Sequence, residues 1–254
     1  MNHKTSKVII GFVIALIFVI GNYGSSYAAT KNDLEMNLNQ LTKIVEEVEK
    51  TGTKKVAKKK IKEVKKIEKK IEKLKINNRV KKIAEEDASE VKILCYEVKN
   101  NKKLTDLAKF KAENCKLRIS STQLINTKKN EGVKNLDYII RKEAAEQLNN
   151  QVMNFNTYVL SVVASNKNYK TGELDDMASE IRSQVLSISL SYFEIEDYTR
   201  LDVDLMDIIN EVLDSMQDFS KGKLTVGEYI KKRTKFADEY QQFIDIDDID
   251  TEQI

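Results

Sequence analysis

Apolar residues recur every three or four positions along most of the chain, the spacing that places them on one side of an α-helix. The first series steps 4, 3, 4, 3, as in a coiled coil: Leu34, Leu38, Leu41, Val45 and Val48. The sequence TGT at 51–53 interrupts it, and a second series follows: Ala57, Ile61, Val64, Ile67, Ile71 and Leu74. These patterns predict a basic, coiled-coil-like helical hairpin over residues 29–76.

The same spacing continues through residues 77–244, interrupted by polar stretches that predict turns, such as NNKKLTD at 100–106 and NKNYKTGE at 166–173. Thr105, Thr199 and Thr225 are candidate N-caps, and Thr225 with Glu228 forms a capping box. The segment INNR at 76–79 is either a break or part of a continuous helix. We predict an all-α fold of seven or eight helices, in which antiparallel hairpins stack into an elongated bundle that precedes an acidic tail at 245–254.

The first 28 residues have the three parts of a secretory signal peptide. Lys4 and Lys7 precede a run of thirteen apolar residues at 8–20, and small residues, Ser26 and Ala28, occupy the positions before the expected cleavage point. A retained membrane anchor is the alternative, but spanning a bilayer takes about twenty apolar residues. We therefore predict a signal peptide over 1–28 and a secreted or extracellular protein, with cell-wall association as a further expectation.

The types of residue in the mature chain disfavour catalysis. His3 is the single histidine and lies in the predicted signal peptide, so the mature chain lacks the commonest general base and metal ligand. No GxSxG, P-loop, GxGxxG or CxxC motif occurs, and the Asp-rich tail lacks the glycine and the final glutamate of an EF-hand loop. We predict a protein that is not an enzyme and that uses no cofactor and no metal.

Two cysteines, Cys95 and Cys115, follow the predicted signal peptide. Export would permit a disulfide between them. The predicted hairpin leaves them about four residues, or about 6 Å, out of register, which is borderline for a disulfide. A disulfide and two buried core thiols both remain open.

Charge is distributed unevenly along the chain. Residues 54–82 contain fifteen Lys and Arg against three Glu, whereas residues 171–254 contain eight basic and twenty-one acidic residues. The candidate anion-contacting residues are lysines around the second apolar stripe: Lys58, Lys59, Lys62, Lys65, Lys66, Lys69, Lys70 and Lys73.

These charges favour a non-catalytic protein that acts through electrostatic and helix-mediated contacts at the cell surface or in the medium. A protein partner or self-association, including pairing with the acidic end of another copy, is one expectation, and an anionic wall polymer or an acidic membrane surface is another. A membrane-active, pore-forming or toxin-like protein is the alternative function. Nucleic acid is disfavoured because no aromatic residue lies between Lys50 and Lys82 to stack on bases.

Overall fold

The computed structural model describes residues 33–164, 171–192, 200–236 and 238, and within these ranges the chain forms eight helices and no strand. The helices are α1 (33–51), α2 (Lys54–Glu72), α3 (Asn78–Asn101), α4 (Asp106–Asn130), α5 (Leu136–Ala164), α6 (Thr171–Tyr192), α7 (Arg200–Ser220) and α8 (226–236). The prediction of an all-α fold is confirmed. The predicted signal peptide, the candidate cap Thr199 and the acidic tail lie outside the described residues.

Most of the helix starts coincide with capping side chains. Thr53, Asn77 and Thr105 each accept a hydrogen bond from the backbone of the first turn of α2, α3 and α4. The predicted capping box of α8 is confirmed, since the Thr225 hydroxyl accepts from the backbone N–H of Glu228 and the Glu228 carboxylate accepts from the backbone N–H of Thr225. The segment at 76–79 is a break, because α2 ends before it and α3 begins within it.

The turn between α1 and α2 depends on Gly52. Its φ is +57°, a backbone conformation that strains residues with a side chain. A Cβ atom at this position would also lie 2.9 Å from the Cβ of Leu104, in the turn between α3 and α4. Gly52 therefore lets two interhelical turns approach each other at one end of the bundle.

Helix α4 ends at Asn130. Its last turns bury Asn126 beside Ile125, so a polar residue occupies part of the inward face of this helix. Helix α5 starts at Leu136, after a turn in which Gly132 has a φ of +80°.

The helices form successive antiparallel hairpins that pack on one another. From α2 to α7 each helix contacts the next, and α6 also contacts α3 and α4. Helix α1 lies against α4, where Lys116 pairs with Glu49 at 2.7 Å and Gln123 donates to Asn39 at 2.9 Å. The buried apolar side chains form one core cluster that reaches from the first hairpin to α8. The prediction of stacked hairpins is confirmed.

Candidate functional site

The eight candidate lysines of α2 form a single exposed surface, which we call the lysine face: Lys58, Lys59, Lys62, Lys65, Lys66, Lys69, Lys70 and Lys73. The opposite side of α2 is buried and contains Ala57, Val64 and Ile71, as the apolar stripe predicted. From residue 58 to residue 73 the lysine face is about 22 Å long at 1.5 Å per residue.

Two of the three glutamates of α2 are occupied by lysines outside the lysine face. Glu63 accepts a hydrogen bond from Lys60 of the same helix at 2.8 Å, and Lys60 also pairs with Glu47 of α1 at 2.7 Å. On the other side of the helix, Glu68 pairs with Lys92 of α3. Burial opposes the charge on Lys60, but its hydrogen bonds to Glu47 and Glu63 outweigh that effect and raise its pKa. Lys60 thus joins α2 to α1 and Glu68 joins it to α3, so Glu72 is the one exposed glutamate of α2 beside the eight lysines.

Only one member of the lysine face has an ion-pair partner in the described part of the chain. Lys59 lies 3.8 Å from Glu63, whereas the other seven lysines pair with no described acidic residue, including those of the acidic C-terminal third. Lys66 and Lys70 also line a groove of about 300 Å³ between α1 and α2, together with Lys43 and Gln40. This arrangement can attract an anion by charge and offers it several ammonium donors.

A second polar feature, a buried network at the junction of α3, α4 and α6, was not predicted as a site. The Arg118 side chain is fully buried, with its Nε 3.3 Å from Oδ1 of Asp87. The Thr122 hydroxyl donates to the other oxygen of Asp87 at 2.6 Å, and Nη1 of Arg118 donates to Oε1 of Gln184 at 2.8 Å. In turn, Nε2 of Gln184 donates to Glu90 at 2.8 Å.

Burial dominates the electrostatics of this network. It raises the pKa of Asp87 to about 6, although Arg118 and the Thr122 hydrogen bond oppose the shift. It also raises the pKa of Glu90. A perturbed carboxyl can indicate catalysis, but Asp87 and Arg118 have no exposed side-chain surface and so cannot reach a substrate. The network therefore joins two hairpins rather than performing chemistry.

One signal in the sequence could have revealed this network. Helix α4 carries buried polar residues at every fourth position: Asn114, Arg118, Thr122 and Asn126. On α3, Asp87 interrupts an otherwise apolar series. When polar residues recur along a helix at the spacing expected of buried apolar residues, the helix is expected to contact its neighbours through hydrogen bonds.

The two cysteines are buried free thiols in the structure. Burial raises the pKa of Cys95 to about 12 and also raises the pKa of Cys115, so neither is a reactive thiolate. Charged residues of α2 also affect the pKa of Cys95, whereas Glu90 and Arg118 in the buried network affect the pKa of Cys115. The disulfide and the two separate buried thiols both stay predictions.

The described residues contain no group of three or more His, Cys, Asp or Glu side chains placed to hold a metal ion. Within the described ranges, none of the helices combines the length and the apolar character needed to cross a bilayer. Comparison of this chain with protein-family models, with curated proteins and with solved structures finds no match.

Proposed function

We propose that this chain is an exported, non-catalytic protein that binds an anionic partner at the cell surface or in the medium through the lysine face of α2. One observation carries the proposal: eight lysines of α2 are outward and mostly unpaired, whereas Glu63 pairs with the buried Lys60, Glu68 pairs with Lys92 of α3, and only Glu72 among the glutamates of α2 is exposed. A helix that only needed solubility would mix both signs of charge on its exposed side.

The strength of such binding follows from charge and distance. Near an anionic lipid surface each lysine contributes about 1 kcal/mol, and the attraction decays over a Debye length of about 8 Å at physiological salt. Four lysines along one side of α2 would then supply up to about 4 kcal/mol, a factor of roughly 700 in affinity. A wall polyanion would be attracted by the same charges.

The test is sedimentation of the mature chain, residues 29–254, with native cell envelopes at increasing NaCl concentration. The binding variant replaces four lysines of the lysine face with glutamine: Lys62, Lys65, Lys69 and Lys73. The control variant makes the same charge change at exposed lysines elsewhere: Lys103, Lys134, Lys221 and Lys231.

We expect the wild-type and control proteins to sediment with envelopes at low salt and to be released as salt rises. The binding variant should remain in the supernatant even at low salt. If wild-type protein stays entirely soluble at low salt, or if both variants lose binding equally, the lysine face is not the binding surface.

A further inference from the structure

Arg233 of α8 is a buried cation that has no carboxylate partner among the described residues. Its residue is 6% exposed, and its Nε and Nη1 atoms are buried without a hydrogen-bond acceptor. The remaining nitrogen, Nη2, contacts the sulfur of Met153 on α5, and the guanidinium lies 5.0 Å from the centroid of the Phe236 ring. A thioether is a weak acceptor, so the charge of Arg233 is poorly compensated.

A further buried polar group lies close to Arg233 in the fold. The hydroxyl of Tyr229, one turn earlier on α8, has no hydrogen-bond partner among the described residues, although its ring packs on Phe219 at 4.8 Å. Guanidinium and phenol groups can both donate to an oxyanion.

The cover over Arg233 is thin. Met153, whose sulfur contacts the guanidinium, is itself 44% exposed, and Ile230, one turn before Arg233, is 41% exposed. Methionine is flexible and adapts readily to a new neighbour, so movement of one side chain would open Arg233 to a ligand. The exposed edge of the site is then formed by the apolar side chains of Met153 and Ile230, and the buried end is formed by the cationic Arg233.

We propose that Arg233 anchors a carboxylate-binding site, with Tyr229 as a supporting donor, for an acidic peptide whose carboxylates alternate with aliphatic side chains. The carboxylate would form a bidentate pair with the unpartnered N–H groups of Arg233. The aliphatic neighbours would pack on Met153 and Ile230. This site lies between α5 and α8, away from the lysine face of α2.

Such a peptide has two sources. One is a partner protein, and the other is this chain itself, since residues 244–250 read IDIDDID and begin only eleven positions after Arg233. An extended chain covers about 3.3 Å per residue, so this segment could reach Arg233 of its own chain or of a second copy. The ligand chemistry is the same in both cases.

The test uses the mature chain and the synthetic, C-terminally amidated peptide IDIDDID, with amidated ININNIN as a carboxylate-free control. Binding is measured by calorimetry, and the Nε–H signal of Arg233 is followed by NMR and assigned by its loss in Arg233→Met. Arg182→Met, which removes an arginine from α6, is the matched control. A tail-neutral variant replaces four tail aspartates with asparagine: Asp245, Asp247, Asp248 and Asp250. Circular dichroism verifies that each variant is folded.

If the ligand is a partner peptide, wild type and the tail-neutral variant both bind IDIDDID and the Arg233 signal shifts. If the chain's own tail fills the site, only the tail-neutral variant binds the peptide, and its Arg233 signal already differs from that of wild type. Either result supports the site, provided that Arg233→Met weakens binding by about tenfold or more and Arg182→Met does not. Absence of binding in both proteins with an unmoved Arg233 signal, or unchanged binding by Arg233→Met, would overturn the proposal.

Discussion

The buried pair of Arg118 and Asp87 gives the sharpest test of what holds the middle hairpins together. Both side chains are fully buried, so removal of either one leaves the other charged group without its counter-ion. Breaking a buried ion pair from one side costs about 3–5 kcal/mol. We therefore expect Arg118→Met and Asp87→Asn each to lower the free energy of unfolding by that amount at neutral pH.

The double variant should lose less stability than either single one. With both charges removed, the Thr122 hydroxyl retains an acceptor, because it also lies 3.1 Å from the backbone carbonyl oxygen of residue 118. Gln184 retains its hydrogen bonds to Glu90 and Glu180, at 2.8 and 3.1 Å. The coupling energy from the double-mutant cycle should then be at least about 3 kcal/mol.

Urea unfolding followed by circular dichroism measures these free energies without adding a salt that would screen the pair. The slopes of the unfolding curves must agree among the four proteins for the values to be comparable. If Arg118→Met lowers stability by less than about 1 kcal/mol, or if the two single losses simply add, the network does not join the hairpins as a charged pair.

Four further predictions concern other parts of the molecule. Gly52→Ala should lower the free energy of unfolding by more than the roughly 1–2 kcal/mol expected from φ strain alone, because its Cβ would also clash with Leu104. Gly132→Ala, with open space around it, should show the cost of φ strain only, and urea unfolding measures both free energies. Asp87 binds its proton more tightly when folded, so its titration should lower wild-type stability as pH rises from about 4 to about 6. Asp87→Asn should reduce that slope in the same assay and leave the contribution of Glu90, whose pKa burial also raises. The two buried cysteines should resist iodoacetamide in the native protein and take two adducts, counted by mass spectrometry, after unfolding without reductant. Lys62→Glu should raise the free energy of unfolding by about 1 kcal/mol and weaken envelope binding.

The apolar pattern predicted most of this fold because the outer hairpins bury aliphatic stripes. Leu34 to Val48 of α1 and Ala57 to Ile71 of α2 are buried with the period that the sequence shows. The helix caps could also be predicted from the local sequence, because Thr105 and Thr225 each accept a hydrogen bond from a backbone N–H only three positions away. In these segments the local sequence and the tertiary packing specify the same structure.

The middle and final hairpins were harder to interpret because polar side chains share their buried faces. The four-residue spacing of polar residues on α4 indicates that Arg118 shares a face with Asn114 and Thr122, but it does not identify the partners of Arg118, since Asp87 is thirty-one positions away and Gln184 is sixty-six positions away. Arg233 posed the same difficulty, because its burial depends on Met153 and Phe236 lying over it. Such groups can be assigned only once the helices are placed against one another.

Repulsion among the lysines of the lysine face lowers the stability of α2. This loss helps to distinguish a binding surface from one that is merely solvated. Lysines four residues apart repeat along its length, as in Lys58 with Lys62 and Lys69 with Lys73. Like charges at this spacing destabilise a helix by about 0.2–0.5 kcal/mol per pair. Glutamate could have relieved this repulsion, yet Glu63 pairs with the buried Lys60 and Glu68 with Lys92 of α3, so only Glu72 is exposed beside the lysines. An anionic partner along α2 would remove the repulsion, so binding and stabilisation of this helix should occur together.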